Sequence, residues 1–260
     1  MLQWILALPL LAPVDDDESG PDPEAVAAAV ERLEKVFAAE SVDEVASGIQ
    51  STRLVPAEEV VDLLVDRGLR HRERPVQRAS IDVLGRLEHE SALEALHRYL
   101  KRERKRLEDR GGLELLPPLL QAIARHGEES SIPVLVDRMF HAANRDVVRA
   151  RILGLAMIRS PDSVAELIAI MRKSERRKVQ PYMGDIRIAL AVLTGQDLGT
   201  DQDRWNAWWN ENRRTFRVPE QRPRLPEQIE RRWRGYWGLP RVYDRQQRRE
   251  RRGDDGDGRP

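Results

Sequence analysis

"VQRASIDVLGRLEHESALEALHRYL", residues 76–100, is the stretch on which the fold turns. Its apolar residues recur at three- and four-residue spacing on both sides of a short polar turn, "EHES", which is the pattern of two amphipathic helices in succession. Three later segments align beneath it: "LLPPLLQAIARHGEESSIPVLVDRMF" (115–140), "VVRARILGLAMIRSPDSVAELIAIM" (147–171) and "GDIRIALAVLTGQ" (184–196). Leu84, Ile123, Leu155 and Leu193 then share one column, 39, 32 and 38 residues apart. A second helix begins at Leu93, Ile132 or Val164, again 39 and 32 residues apart, after the turns "EHES", "GEES" and "SPDS". Two columns with matching steps are not expected of unrelated amphipathic helices. A helix pair of this size cannot bury its apolar face alone, so the pairs are predicted to stack as an α-α superhelical solenoid.

The rest of the chain up to residue 200 agrees. In "EAVAAAVERLEKVF" (24–37), Val26, Ala29, Val30, Leu33 and Phe37 form one helical stripe. No segment alternates with period two and no hairpin dipeptide joins β-rich runs, so the fold class is all-α. Arg78, Ala79, Leu84 and Gly85, followed by "ESALEAL", resemble bacterial HEAT repeats, and the resemblance spans about residues 55–200. It implies HEAT-like helix pairs that bind or scaffold other macromolecules and only rarely catalyse. The chain departs from the pattern at Pro117–Pro118, where a helix is predicted to start, because proline in a helix interior removes a donor and clashes one turn back.

A stacked array has to close its last apolar face. In "TGQDLGTDQDRWNAWWNENRR" (194–214), Thr200 and Asp203 read as a helix start running to about residue 214. Trp205, Trp208 and Trp209 stand at i, i+3 and i+4 on that helix, so they are read as the buried seam of a Trp-rich C-terminal capping helix. The segment also resembles the C-terminal end of the same bacterial HEAT proteins. The array is thus predicted over 24–214. Residues 215–260 form an Arg-rich tail with too little apolar surface to order, apart from a helix at 226–237. That helix, "LPEQIERRWRGYWGLP", is expected to dock on the capping helix through Trp233 and Trp237 or to await a partner, and deleting 215–260 is expected to leave stability nearly unchanged. It is similar to the segment that leads from helical repeats into a von Willebrand factor type A domain in related bacterial proteins, although "RRERRGDDGDGRP" follows here.

"MLQWILALPLLAPV" (1–14) is too short to span a membrane, which takes roughly 20 apolar residues. It has the length of a signal-peptide apolar region with Ala12 near a cleavage point, though no Lys or Arg precedes it. It is read as an export signal that places the chain in the periplasm or another extracytoplasmic space. If it instead lies on the core, the chain is cytoplasmic. The acidic linker 15–23 follows it.

Net charge is zero, with 44 basic and 44 acidic residues, but the charge is unevenly distributed. The turns "RGLRHRER" (67–74), "KRERKRLEDR" (101–110) and "RKSERRK" (172–178) are strongly basic, "HAANRD" (141–146) is nearly neutral, and the alternate turns "EHES", "GEES" and "SPDS" are acidic. Stacking aligns equivalent turns along one edge, so a basic edge is predicted. Its partner-binding candidates are Arg70, Arg72, Arg74, Lys101, Arg102, Arg104, Lys105, Arg106, Arg172, Lys173, Arg176, Arg177 and Lys178, to which the tail adds Trp233 and Trp237. A protein partner is the first reading. The alternative is a polyanion, either nucleic acid or an anionic envelope polymer, with Trp233, Tyr236, Trp237 and Tyr243 suited to stacking.

The absence of cysteine excludes disulfides, thiolate zinc sites and cysteine nucleophiles. His71, His89, His97, His126 and His141 form no HExxH and are read as surface polar residues, not ligands. No GxSxG, P-loop or dinucleotide fingerprint occurs, and "DDGDG" (254–258) lacks the closing Glu of a calcium loop. No catalytic residue, metal ligand or cofactor is therefore assigned.

Overall fold

The structure, a computed structural model, describes residues 20–51, 55–109, 112–141, 144–173 and 175–240, with the side chain of Lys173 excepted. The export signal 1–14, most of the acidic linker and the arginine run after Pro240 lie outside the described residues. Helices run in the order α1 (Pro23–Phe37), α2 (Val42–Ser51), α3 (Glu58–Leu63), α4 (Arg74–Leu84), α5 (Glu90–Glu108), α6 (Leu116–Arg125) and α7 (Ile132–Val136). Then follow α8 (Arg145–Leu155), α9 (Pro161–Lys173), α10 (Arg176–Val179), α11 (Met183–Thr194), α12 (Gln202–Asn212) and α13 (Glu227–Trp237). No strand occurs among the described residues, and the fold is all-α. No helix among them is long and apolar enough to cross a membrane.

Packing sorts the helices into two series. One runs α2, α4, α6, α8, α11, each in contact with the next. The other includes α1 on α3, α3 on α5, α7 on α9 and α9 on α12. Leu84, Ile123, Leu155 and Leu193 lie one each on α4, α6, α8 and α11, all fully buried, and Leu93, Ile132 and Val164 are buried too. Small residues let the first series close up. A Cβ added to Gly85 would lie 2.5 Å from the Ala122 Cβ and 2.6 Å from its Cα, and one on Gly154 would meet the Ala124 Cβ at 3.1 Å. Gly85→Val is therefore expected to push α4 off α6 and to destabilise by at least the 1–3 kcal/mol typical of overpacking, read as a lower urea midpoint.

Several boundaries differ from the sequence reading, for local reasons. The segment 101–110, expected as a turn, is mostly helix: α5 continues to Glu108 because Leu107 is fully buried below the charged run. Arg106 also pairs with Glu103 one turn back. Residues 67–69, also expected as a turn, belong to a π-helical turn, Leu64–Leu69, that continues α3. There Gly68 is buried so closely against α4 that a Cβ would stand 2.1 Å from the Ser80 hydroxyl. The start at Pro117–Pro118 is as expected, with both prolines in the first turn of α6.

Helix α7 is the irregular one. α7 stops after Val136, and Arg138 takes a positive φ of 56°. Carbonyls that a longer helix would have bonded are taken instead by Arg151 of α8. Its Nη1 donates to Val134, Leu135 and Asp137 oxygens at 3.1, 3.1 and 2.7 Å. Burial pulls this guanidinium down to about 10, against the opposing pull of Asp137 and Glu108. It remains a cation at neutral pH.

After α11 the chain is fastened at each step. Gly195 ends the helix in the left-handed conformation (φ 73°). Arg187 grips Asp197 through two 2.6 Å bonds, and Asp197 Oδ1 accepts the Gly199 N–H. The N-cap of α12 is Asp201, not Thr200, because its carboxylate reaches two amides, those of Asp203 and Arg204. Trp205 is fully buried and donates its indole N–H to the Gly199 carbonyl at 3.0 Å. Trp208 and Trp209 are half-buried, and both meet Phe216 edge to face.

Residues beyond 214 do not trail away. Arg159 donates to the Pro219 carbonyl, Pro223 lies against Gly195, and Arg222 sits 5.1 Å above the Trp233 ring. Helix α13 is present where expected, but it packs on α11, with Ile229, Trp233 and Trp237 buried. Its packing gives the opposite expectation for stability from the tail reading.

Candidate functional site

The predicted basic edge is more neutral than its sequence. Arg70 pairs with Asp66 at 2.8 Å, Arg72 with Glu73 at 3.3 Å, and Arg74 with Glu114 at 2.7 Å. Arg102 and Arg106 share Glu103, and Arg106 also donates to the Tyr99 hydroxyl. Arg104 engages Asp137, and Lys178 pairs with Glu175. Lys101, Lys105, Arg172, Arg176 and Arg177 are exposed with no carboxylate partner among the described residues, while the Lys173 side chain lies outside them. Such exposed pairs add little stability, about 0–1 kcal/mol each, but they do lower the local field. Trp233 and Trp237, placed with the basic residues by sequence, face the protein's own interior instead.

The docking of α13 builds a different surface. Along one side of it lies a cleft of about 880 Å³ walled by α4, α6, α8 and α13, with Arg78, Arg149 and Arg232 on its lining. Arg149 stacks 5.3 Å over the Tyr236 ring. Asp185, nearly buried in the first turn of α11, approaches Arg149 at 3.3 Å and Arg232 at 3.8 Å through the same oxygen, Oδ1. Burial pushes the Tyr236 phenol up to about 12, against the smaller pulls of Gln121 and Arg149. Sequence reasoning passed over Arg149, Arg232 and Asp185; it took Arg78 only as a repeat residue and Tyr236 only as a stacking ring. The available signal was a charge inside an apolar register: Arg149 in "VVRARILGL" and Asp185 in "GDIRIALAVL" interrupt otherwise core-facing helices.

At the turns "EHES" and "GEES" a second groove, about 890 Å³, is lined by Glu88, Glu90, Glu94 and Glu128 with Arg86, Arg125, His89 and His126. Of the five histidines, only His141 is exposed; the others are half-buried and have local duties. His89 Nδ1 accepts the Ser91 amide at the start of α5, and His71 Nδ1 accepts the Glu73 amide. His126 Nε2 donates to the Leu84 carbonyl at 3.0 Å, and His97 meets the Ser131 hydroxyl at 3.0 Å. No group of three metal-ligating side chains converges among the described residues.

Burial holds both His97 and His126 below the usual imidazole value of 6.5; the proximity of His126 adds to this at His97, and Glu94 opposes it there. At His126 the opposition comes from the Leu84 carbonyl and Glu128. The fold therefore prefers both rings neutral, whereas the unfolded chain takes up their protons near 6.5. Stability should be complete above that pH and fall as pH drops through and below it. Denaturant midpoints at pH 7.5 and 5.5 test this, and His126→Gln, which keeps an N–H for the Leu84 carbonyl, should shrink the difference.

Fold and surface together define an all-helical protein with polar clefts between helix ends. No protein-family model matches the chain, and no curated protein matches it.

Proposed function

We propose that the chain is a non-enzymatic binding module: a HEAT-like α-α solenoid, closed at its end by the Trp-rich helix α12, that engages a protein partner. The observation that carries this reading is the unbroken series α2, α4, α6, α8, α11, with one column leucine or isoleucine buried in each of the last four. Such quasi-repetitive stacking favours extended binding surfaces over enclosed reaction sites. The test is affinity capture by the full chain from extracts of its source cells, with and without nuclease. A stoichiometric protein retained after nuclease treatment is expected. Turnover on a substrate panel with no retained protein would overturn the reading.

The polyanion alternative rests on Lys101, Lys105, Arg172, Arg176 and Arg177, which have no carboxylate partner among the described residues. It predicts capture that nuclease or polyanion-degrading treatment abolishes, and that weakens steeply between about 50 and 200 mM salt.

A further inference from the structure

Three arginines from three helices reach one cleft: Arg78 of α4, Arg149 of α8 and Arg232 of α13. Their charge is incompletely balanced. Arg78 has no carboxylate partner among the described residues. Arg149 and Arg232 contact the single oxygen Asp185 Oδ1, so one carboxylate serves two guanidinium groups. Of the two lining carboxylates, Glu114 is held by Arg74 at 2.7 Å and Asp146 makes no ion pair among the described residues, so Asp146 and Asp185 face three guanidinium groups.

We propose that this cleft binds an acidic peptide segment of the protein partner, its Asp or Glu carboxylates taken by Arg78, Arg149 and Arg232; the proposal rests on the binding-module reading above. A guanidinium presents a planar fork of donors that matches a carboxylate with two parallel bonds. Stacking on Tyr236 fixes the plane of the Arg149 fork, so less freedom is lost on binding. Gln121 and Asn144 add neutral amide donors to the same lining. Pro117 and Pro118 are half-buried and carry no N–H, so they offer an apolar ledge for a side chain between the acids. A nucleic-acid backbone suits the cleft less well. Glu114 and Asp146 share its lining, and a continuous run of phosphates has to pass them whereas separated carboxylates do not.

Gly235 supplies the test. It lies on the cleft lining within α13, and a Cβ there would meet nothing within 4 Å. Gly235→Glu is thus sterically free, favours the helix, and places a tethered carboxylate among the arginines. Fluorescence anisotropy would follow a labelled synthetic peptide of alternating Glu and Leu binding to the full chain, with single-stranded DNA as competitor. Binding is expected to weaken at least tenfold in Gly235→Glu and in Arg78→Gln, with no fall in melting temperature, and to persist in Lys101→Ala/Lys105→Ala. Binding indifferent to both cleft variants, or no peptide binding, would overturn the cleft assignment. Displacement by DNA with loss in the double lysine variant would assign the charge recognition to the basic edge. If the peptide fails while nuclease-resistant protein capture survives, only the cleft is wrong. If capture fails while peptide binding depends on the cleft, the site stands and the wider module reading falls.

Discussion

Trp205→Ala is expected to lower the unfolding free energy by about 3–5 kcal/mol, the range for removing a fully buried large aromatic. The indole has no exposed surface, and its ring meets Trp208 edge to face at 5.9 Å. Deletion also strands the Gly199 carbonyl, which the indole N–H bonds at 3.0 Å. That loop is itself held by the Arg187–Asp197 pair, so loosening Trp205 is transmitted to the end of α11. Trp208→Ala should lose much less, because Trp208 is half-buried and its indole N–H makes no hydrogen bond among the described residues. Equilibrium urea denaturation separates the two. Equal losses would mean that the three tryptophans act as one surface cluster and not as a seam anchored by Trp205.

The second large effect belongs to α13. Trp233→Ala should also destabilise by about 3–5 kcal/mol, since the ring is fully buried, touches Trp237 at 5.7 Å and carries Arg222 above it. The Trp233 and Trp237 indole N–H groups find no acceptor among the described residues, and each such orphan offsets part of the burial gain. The effect should therefore fall toward the lower end of the range. Deleting residues from 215 onward should destabilise at least as much, because Phe216, the Arg159 contact and the Arg222 stack go with it. Hydrogen exchange would show the loss first in α11, on which α13 packs. A truncated chain with the stability of the whole would show that α13 contributes nothing to the fold.

Much of this molecule is legible in its periodicity. The apolar register of 76–100 and its three echoes is enough to place four buried column residues, because helical spacing determines which side chains can share a face. The prolines at 117–118 announce the start of α6, and Gly238 marks the end of α13 in the left-handed conformation. Charge misleads where it hides register: the basic run 101–108 reads as a turn until Leu107 is seen buried beneath it. Arg151 also escapes pattern reading, since its three carbonyl partners exist only because α7 ends early. The candidate cleft was invisible in one dimension. Arg78, Arg149 and Arg232 are separated by most of the chain, and nothing local says that α13 returns to α11 to bring them together. Sequence alone determined the all-helical class and the buried column of α4, α6, α8 and α11, since both follow from short-range spacing. The destination of α13, and with it the charge balance of the cleft, was decided by tertiary packing, which joins residues that no local period relates.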